Sequence, residues 1–320
     1  MIELAYALSS EEHDARTLVA TAQRAEQAGF RSVWISDHYH PWIDRQGQSP
    51  FVWSVVGAIA ATTDLAVTTA VTCPLIRIHP AVIAQATATS SNLLPGRFRF
   101  GVGTGEALNE HILGDPWPAA DVRLDMLREA VEVIRRLWTG ERVTHRGPHY
   151  RVEQARIYTL PADTVPVIVS AFGSQALAVA ADIGDGWMTT GPAGDMLRDY
   201  RAAGGSGPAL GALKVCWGDD ESDARKLAAE LWPTSGLPGQ LSQDLPTPEH
   251  FEQAVSIVDD ERATEGVPCG PDADRYIEAL RAYADAGFDE VALTQIGPDQ
   301  EGFFRFYERK LAPEATHGEL

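Results

Sequence analysis

The chain has 320 residues, 44% of them hydrophobic, and a formal net charge of −19 at pH 7. This hydrophobic content suits a folded core, and the acidic excess argues against a nucleic-acid partner, because neutralising phosphates requires a basic face. Length alone allows two domains, but a (β/α)8 barrel often runs this long as one domain.

The amino terminus and the cysteines indicate a compartment. The opening residues, MIELAYAL, lack the basic start and long apolar run of a signal peptide, and no apolar stretch approaches the roughly 20 residues of a membrane helix. Cys73, Cys216 and Cys269 are widely spaced and form no CxxC pair, which favours buried thiols in a reducing environment. The sequence therefore predicts a soluble, cytoplasmic protein.

Short apolar runs alternate with amphipathic stretches along the chain. Apolar residues spaced three and four apart predict helices, most clearly at 11–28 and 123–138. Gly29, Gly184 and Gly287 stand where helices should end before the next strand, as C-cap glycines do. Eight strands are predicted, at 2–8, 32–36, 65–72, 98–104, 166–171, 186–190, 212–217 and 290–296.

The regular alternation of eight strands with helices predicts a parallel sheet closed into a (β/α)8 TIM barrel. A doubly wound open sheet is the alternative, but it seldom uses eight regularly alternating units. Residues 140–163 are β-rich, and 233–268 combine proline-rich turns with a helix. We interpret both as insertions in a single domain that spans 1–320.

Polar residues follow several predicted strands, and in a barrel the catalytic groups gather at those carboxyl ends. His38 is able to exchange a proton near neutral pH, and Glu106 can act as an acid or a carboxylate partner. Neither accepts hydride, so a redox reaction would need a cofactor. The candidates are Asp37, His38, His40 and Trp42 after strand 2, Thr104, Glu106 and Asn109 after strand 4, and the segments SAFGSQA and TTGPAGD after strands 5 and 6.

These residues also have structural explanations. Asp37 can cap a turn or helix, Trp42 can anchor its loop by burying its ring, and His40 is interpreted as a solvated bystander. GVGTGE is GxGxG and lacks the acidic residue of a dinucleotide site. The His38 region lacks the further ligands of a zinc site, and no GxSxG elbow is present.

Five motifs together resemble the luciferase-like flavin and deazaflavin oxidoreductases. They are AEQAGFRSVWISDHYHPW, HPAVIAQATAT, GVGTGEALNE, REAVEVIRRLWTGE and GDGW, in the same order along nearly the whole chain. Within that superfamily the sequence resembles the group of coenzyme F420-dependent glucose-6-phosphate dehydrogenases. The resemblance implies a (β/α)8 barrel, a homodimer and the deazaflavin F420, which transfers hydride at C5 and does not activate oxygen.

The resemblance also implies roles for individual residues. His38 would take the proton of the substrate hydroxyl, Glu106 would manage a proton on the far side of the deazaflavin, and Trp42 would shape the pocket. A non-proline cis peptide bond is implied at Ala70–Val71, beneath the ring. The implied cofactor contacts are Asp37, Ala70, Val71, Thr104, Gly105, Asn109, Ser170, Ala171 and Gly173, and no metal is expected.

The sequence departs from that group where a substrate phosphate would bind. The group's lysines are replaced by Ala193 and, near 264–265, by Thr264 and Glu265. Each lost cation removes a charge-assisted bond of about 1.5–3 kcal/mol. We therefore expect glucose-6-phosphate to be a poor substrate, and Glu265 with the acidic balance to favour a neutral or cationic one, such as an unphosphorylated or amino-substituted sugar or cyclitol.

Three alternatives remain at this point. The same residues would serve an F420-dependent reductase or an epimerase of an alcohol centre, because both run the same hydride transfer. An FMN-dependent monooxygenase of the wider superfamily would show oxygen uptake with reduced FMN. A non-catalytic flavin-binding barrel would leave His38, Trp42 and Glu106 without an explanation.

Overall fold

A closed barrel of parallel strands forms the centre of the protein, for which the computed structural model describes residues 2–317. The ten strands are β1 (Glu3–Leu8), β2 (Ser32–Ile35), β3 (Ala66–Thr69), β4 (Phe98–Val102), β5 (Val143–Arg146), β6 (Arg151–Ala155), β7 (Val167–Ser170), β8 (Gly186–Thr189), β9 (Ala209–Val215) and β10 (Glu290–Gln295). Around the barrel the order is β1, β2, β3, β4, β7, β8, β9 and β10, and β10 pairs with β1 to close it. The predicted fold is confirmed.

Helices between the strands cover the outside of the barrel. They are α1 (Ala15–Gln27), α2 (Val52–Thr62), α3 (Pro80–Leu93), α4 (Ala107–Glu110), α5 (Ala120–Trp138), α6 (Ser174–Ile183), α7 (Gly194–Ala202), α8 (Glu221–Leu231), α9 (Leu241–Asp244), α10 (Pro248–Val255), α11 (Asp260–Ala263), α12 (Ala273–Ala286), α13 (Gln300–Phe306) and α14 (Ala312–His317). Single turns of 3-10 helix lie at His111–Leu113 and Pro233–Gly236, and a π-helical segment at Tyr307–Leu311. Within residues 2–317 no helix combines the length and apolar character that crossing a membrane requires.

The start of α1 is the main departure from the expected elements. The periodic pattern predicts a helix from residue 11, but α1 begins at Ala15. Asp14 is the reason, because its carboxylate accepts the backbone N–H groups of Arg16 and Thr17, both at 2.9 Å, and so caps the helix. Residues 11 and 12 therefore lie in the loop after β1, at the carboxyl end of the barrel.

Two of the three predicted C-cap glycines behave as expected. Gly29 and Gly287 have φ angles of 97° and 90°, the left-handed conformation that ends a helix. Gly184 ends α6 in an extended conformation instead, with φ −88°. A side chain there would place its Cβ 2.5 Å from the carbonyl oxygen of Ala180, so close backbone approach explains this glycine.

The two predicted insertions lie outside the barrel ladder. Strand β4 pairs directly with β7, and the intervening hairpin β5–β6 packs on α5, where Glu129 accepts the backbone N–H groups of His149 and Tyr150. Residues 233–268 contain α9, α10 and α11. Their assignment to one domain spanning 1–320 stays a prediction.

A polar network closes the amino-terminal end of the barrel. The buried carboxylate of Glu290, the first residue of β10, accepts Trp34 Nε1 at 2.6 Å, Arg99 Nη2 at 2.6 Å and Ser32 Oγ at 3.3 Å. Above it the barrel interior is filled by Trp34, Ile168, Met188 and Leu210 with smaller alanines. These side chains seal this end and leave the carboxyl end for chemistry.

Gly101 in β4 generates a stability prediction. A Cβ there would lie 1.8 Å from the backbone oxygen of Thr69, and backbone on a neighbouring barrel strand has little room to move. Gly101→Ala should lower the free energy of unfolding by about 3 kcal/mol. Gly57→Ala in α2 is the control, because its Cβ would meet only Leu93 Cδ1 at 4.0 Å, and it should raise stability by about 0.5–1 kcal/mol. Equal urea midpoints for both variants would contradict the argument.

Candidate active site

The loops after β1 and β2 meet at the carboxyl end of the barrel. Ser10 Oγ donates to the backbone oxygen of Ser36 at 2.9 Å, and the backbone N–H of Ser10 donates to Ser36 Oγ at 3.0 Å. Ser49 Oγ donates to the backbone oxygen of His38 at 2.7 Å. These bonds hold the loop after β2 in place and present His38 at the barrel mouth.

His38 has partners on both ring nitrogens. Its Nδ1 lies 3.2 Å from the backbone oxygen of His40 and 3.2 Å from Asn109 Nδ2, and its Nε2 lies 3.5 Å from Glu11 Oε1. With the proton on Nδ1, the ring donates to the backbone oxygen of His40 and Nε2 is the free base; with the proton on Nε2, Nδ1 accepts from Asn109 Nδ2 and Nε2 faces Glu11. The side chain is 10% exposed, so the ring is largely shielded from bulk water.

Glu11 is a site residue that the sequence argument missed. It is 3% exposed, and its Oε2 accepts Ser36 Oγ at 2.7 Å and Ser9 Oγ at 3.1 Å. These hydroxyls hold Oε1 toward His38 Nε2. Placement of residue 11 inside a helix hid this pairing, and the Asp14 cap was the signal that could have revealed it.

Asn109 connects the two predicted catalytic loops. Its Oδ1 accepts the backbone N–H groups of Tyr39 at 2.8 Å and His40 at 3.2 Å, which fixes the direction of the amide. Its Nδ2 then points at Glu106 Oε2, 3.2 Å away, as well as at His38. His38 and Glu106, distant in sequence, are thus brought to the two sides of one buried amide.

Trp42 forms an aromatic wall beside His38. The two ring centroids are 5.1 Å apart, and Trp42 also meets Phe251 of α10 edge-on at 5.2 Å. The backbone N–H of Trp42 donates to Gln46 Oε1 at 2.8 Å, and Gln46 Nε2 donates to the backbone oxygen of Leu231 at the end of α8. Trp42 is therefore both fixed in its loop and half-buried at the mouth.

Asp37 is fully enclosed in a polar network. Its carboxylate accepts Thr72 Oγ1 at 2.7 Å and Arg77 Nη2 at 2.8 Å, and its side chain has no exposed surface. Arg77 Nε also lies 3.5 Å from the buried Glu110, whose pKa is raised by burial while the backbone N–H groups of Ile76 and Arg77 oppose the rise. Asp37 therefore holds the loop after β3 against the loop after β2.

The Ala70–Val71 peptide bond is cis, as the family resemblance implies. Both residues are half-exposed, whereas the flanking Thr69 and Thr72 are fully buried. An apolar step therefore faces the barrel mouth, bordered by the half-exposed Thr104. Such a surface fits one face of a planar ring system, and polar groups are available at its edges.

Glycines keep this region open. Gly105 has a φ of 70°, and a Cβ there would lie 2.5 Å from Cys73 Sγ. A Cβ on Gly103 would lie 2.8 Å from Val71 Cγ2, so a larger residue would disturb the apolar step itself. The two glycines are therefore needed for the shape of the mouth.

The loop after β7 supplies a second polar border. Ser170 is half-exposed, Ala171 is buried and its backbone oxygen accepts Trp187 Nε1 at 3.0 Å, and Gly173 is exposed. Helix α6 begins after Gly173 without a capping side chain, so its first N–H groups remain available to an anionic group.

His40 is not the solvated bystander that the sequence suggests. It is half-buried, its Nδ1 lies 2.9 Å from the backbone oxygen of Leu108, and its ring stacks on His111 at a centroid distance of 5.8 Å. The side chain therefore ties the loop after β2 to α4, a structural part that local sequence could not reveal.

The residues at the predicted phosphate positions do not face one common point. Ala193 precedes α7 and packs against the core. Thr264 is buried, where its Oγ1 accepts Arg225 Nη1 at 3.0 Å. Glu265 lines a surface groove that also contains Arg225, Arg262 and Arg275, so it is surrounded by mixed charge.

A closed (β/α)8 barrel with polar side chains and an apolar step after its strands is typical of enzymes that bind their ligands at the carboxyl ends of the strands. Residues 2–290 match the profile of the family described as luciferase-like monooxygenase, so the chain belongs to this family, as its motifs suggest.

Three known proteins illustrate the similarity. The chain is 36% identical to the F420-dependent glucose-6-phosphate dehydrogenase of Nakamurella multipartita, over 98% of this chain and 96% of that protein. It is 38% identical to the F420-dependent hydroxymycolic acid dehydrogenase of Mycobacterium tuberculosis, over 88% and 79%. A solved F420-dependent secondary alcohol dehydrogenase in complex with an F420-acetone adduct superimposes with a TM-score of 0.89, at 29% identity, over 97% of this chain and 98% of that one.

The Asp37–Arg77 pair generates a second prediction. Arg77→Met would leave the fully buried carboxylate of Asp37 without its cation, and we expect a loss of about 3–5 kcal/mol in the free energy of unfolding. The double variant Arg77→Met, Asp37→Asn should recover much of this loss, because the neutral amide needs no counter-ion. Chemical denaturation of both variants tests the coupling, and a single variant within 1 kcal/mol of wild type, on the scale of an exposed ion pair, would refute it.

Proposed function

We propose that the chain is an F420-dependent dehydrogenase acting on an alcohol or hemiacetal carbon of a sugar-like substrate. The observation that carries the proposal is the position of His38 after β2, with its Nε2 3.5 Å from Glu11 Oε1 and its ring beside the Trp42 ring. The F420-dependent relatives support the cofactor, and the apolar step at Ala70–Val71 fits its ring.

When bound, F420 supplies a carbon that accepts the hydride released from the substrate carbon. His38 Nε2 takes the hydroxyl proton as this hydride leaves. The substrate thus loses one proton and one hydride, and its alcohol carbon becomes a carbonyl carbon. The resulting imidazolium donates from Nδ1 to the backbone oxygen of His40 and faces Glu11 from Nε2.

Glu106 and Trp42 complete the proposed catalytic set. Asn109 Nδ2 holds Glu106 Oε2 at 3.2 Å and leaves the other carboxylate oxygen to exchange a proton at the cofactor. Trp42 forms the wall against which the substrate lies, next to His38. Glu11 is a positioning residue in this scheme, because it acts through His38.

The remaining predicted residues are proposed to hold the cofactor. Ala70 and Val71 would lie against its ring, and Thr104, Gly105 and Asn109 along its polar edge. Ser170, Ala171 and Gly173, together with the start of α6, would receive its phosphate side. For Asp37, whose carboxylate is already occupied by Thr72 and Arg77, the contact would come from the backbone.

The proposed substrate carries no phosphate. Ala193 and the buried Thr264 provide no cation at the predicted phosphate positions, and in the groove beside Glu265 both Arg225 and Arg275 already pair with Glu221. The same surroundings weaken the case for a cationic substrate, because Arg225, Arg262 and Arg275 line that groove with Glu265. A neutral sugar or cyclitol is therefore the form of the substrate that we favour.

The alternatives differ in measurable products. An F420-dependent reductase or an epimerase of an amino-sugar or cyclitol centre would use the same His38 and Glu106, so configurational change without net F420 reduction would identify the epimerase. Oxygen uptake with reduced FMN would identify a luciferase-like monooxygenase. A homodimer and a cytoplasmic location also belong to the proposal, and both remain predictions.

Replacing the proposed base tests the mechanism. His38→Ala should lower kcat by about 10²–10⁴-fold, the usual worth of general base catalysis, while F420 binding, followed by its fluorescence, stays within about twofold. His149→Ala is the control, since this histidine is exposed on the hairpin β5–β6. Turnover of His38→Ala near the wild-type rate would remove the base from the mechanism.

The missing phosphate-binding cations generate a prediction about the substrate. Each missing cation should lower kcat/KM for glucose-6-phosphate by at least about tenfold relative to an enzyme that has it, since a charge-assisted bond is worth about 1.5–3 kcal/mol, so the wild-type enzyme should not prefer glucose-6-phosphate over unphosphorylated glucose. Ala193→Lys should raise kcat/KM for glucose-6-phosphate, and Ala193→Met, of similar length without charge, should not. Efficient turnover of glucose-6-phosphate by the wild-type enzyme would overturn this part of the proposal.

A further inference from the structure

Lys214 is a cation at the barrel mouth for which the proposed chemistry has no use. It lies near the carboxyl end of β9, where alternate side chains point into the barrel. Leu210 belongs to the buried interior cluster, and Ala212 packs against the same cluster. Lys214, two residues further on, therefore points inward above them and reaches the mouth.

The barrel order places Lys214 opposite the apolar step. Counting along the closed sheet in either direction, β9 lies four strands from β3, so the two strands face each other across the barrel. Ala70 and Val71 follow β3 directly. A flat cofactor ring would have one face on that step and its other face toward Lys214. The substrate would then lie between the ring and Lys214.

The Lys214 side chain is held by an aromatic ring rather than by a carboxylate. Its Nζ lies 4.4 Å from the centroid of Trp232, and none of the ion pairs formed within residues 2–317 includes it. Glu12 fixes this ring, since it accepts Trp232 Nε1 at 2.7 Å and the backbone N–H of Gly297 at 2.8 Å. Burial lowers the pKa of the Lys214 ammonium, and the charges of Glu11 and Glu12 oppose the shift.

Structural support alone explains the ammonium poorly. A methionine of similar length would pack on Trp232 without the cost of removing a charge from water. The cation–π contact returns only part of that cost. The ammonium has three N–H donors, and the ring face of Trp232 satisfies at most one of them. The remaining donors are free to meet an oxygen of a ligand in the mouth.

The surrounding charges restrict what that ligand is. Glu12 bonds the same Trp232 ring that holds Lys214, and Glu11 lies beside His38, so a phosphate or carboxylate on the substrate would lie near acidic side chains as well as near one cation. An amine on the substrate would meet the ammonium itself. A neutral oxygen, such as a hydroxyl or a ring ether, accepts a hydrogen bond from Lys214 and is repelled by neither group.

We propose that Lys214 selects the substrate, by donating a hydrogen bond to a second, uncharged oxygen of a polyhydroxylated alcohol whose reacting hydroxyl lies at His38. The two positions share one wall, because Trp42 contacts His38 and also packs against the cluster that contains Trp232. This inference rests on the proposed dehydrogenase function. It names the substrate class as a neutral polyol and replaces Glu265 with Lys214 as the residue that discriminates.

Cyclohexanol and the 1,2-, 1,3- and 1,4-cyclohexanediols test this role, because they share one ring and differ only in a second hydroxyl. Reduction of F420 by each alcohol gives kcat and KM. The wild-type enzyme should prefer at least one diol over cyclohexanol by about tenfold or more in kcat/KM. Lys214→Met should abolish this preference through a rise of at least about tenfold in KM for that diol, and Lys214→Arg should restore part of it.

Lys226→Met is the matched control, since Lys226 is exposed on α8, where it pairs with Asp223 at 3.6 Å. It should leave the diol preference unchanged. Lys214→Met should melt at a temperature close to that of the wild type and bind F420 with an affinity within twofold of it. These two results distinguish a specific effect from misfolding.

The outcomes are distinct. A wild-type enzyme without preference for any diol, or a Lys214→Met variant that loses activity equally on cyclohexanol and on the diols, overturns the role of Lys214 but leaves the dehydrogenase standing. F420 binding without reduction by any of these alcohols overturns the dehydrogenase proposal, and the selective role of Lys214 falls with it.

Discussion

The side-chain amide of Asn109 is the contact on which the arrangement of the site depends. Its oxygen accepts two backbone N–H groups of the loop after β2, and its nitrogen meets both His38 and Glu106. An aspartate in its place would repel Glu106 and offer no donor. One buried amide of α4 therefore sets the separation between the two groups proposed to handle protons.

The carboxylates around that amide are buried and bonded to protein groups rather than exposed to solvent. Asp37 is neutralised by Arg77, and Glu11 is held by the hydroxyls of Ser9 and Ser36. The large negative charge of the chain therefore says little about the mouth, where the acidic groups have defined partners. In the proposed function, substrate preference would depend on Lys214, which is in none of the ion pairs formed within residues 2–317.

Much of the fold could be predicted from the sequence, because apolar periodicity and turn residues report directly on strands and helices. Candidate residues at the mouth could be predicted only where they follow a strand within a few residues, as His38 and Glu106 do. Glu11 and Glu12 were missed because their spacing also satisfies a helical pattern, and only the cap at Asp14 excludes them from α1. The inward direction of Lys214 depends on the register of β9, and its partner Trp232 is brought near by tertiary packing alone.

The hydrogen bonds of Trp34 and Arg99 to Glu290 close the amino-terminal end of the barrel, which affects how ligands enter and leave. With this end of the barrel filled, cofactor and substrate would both bind at the carboxyl ends of the strands. A cofactor held as proposed on the step at Ala70–Val71 would lie beneath the substrate. In the proposed arrangement the cofactor would therefore bind before the substrate and leave after the product.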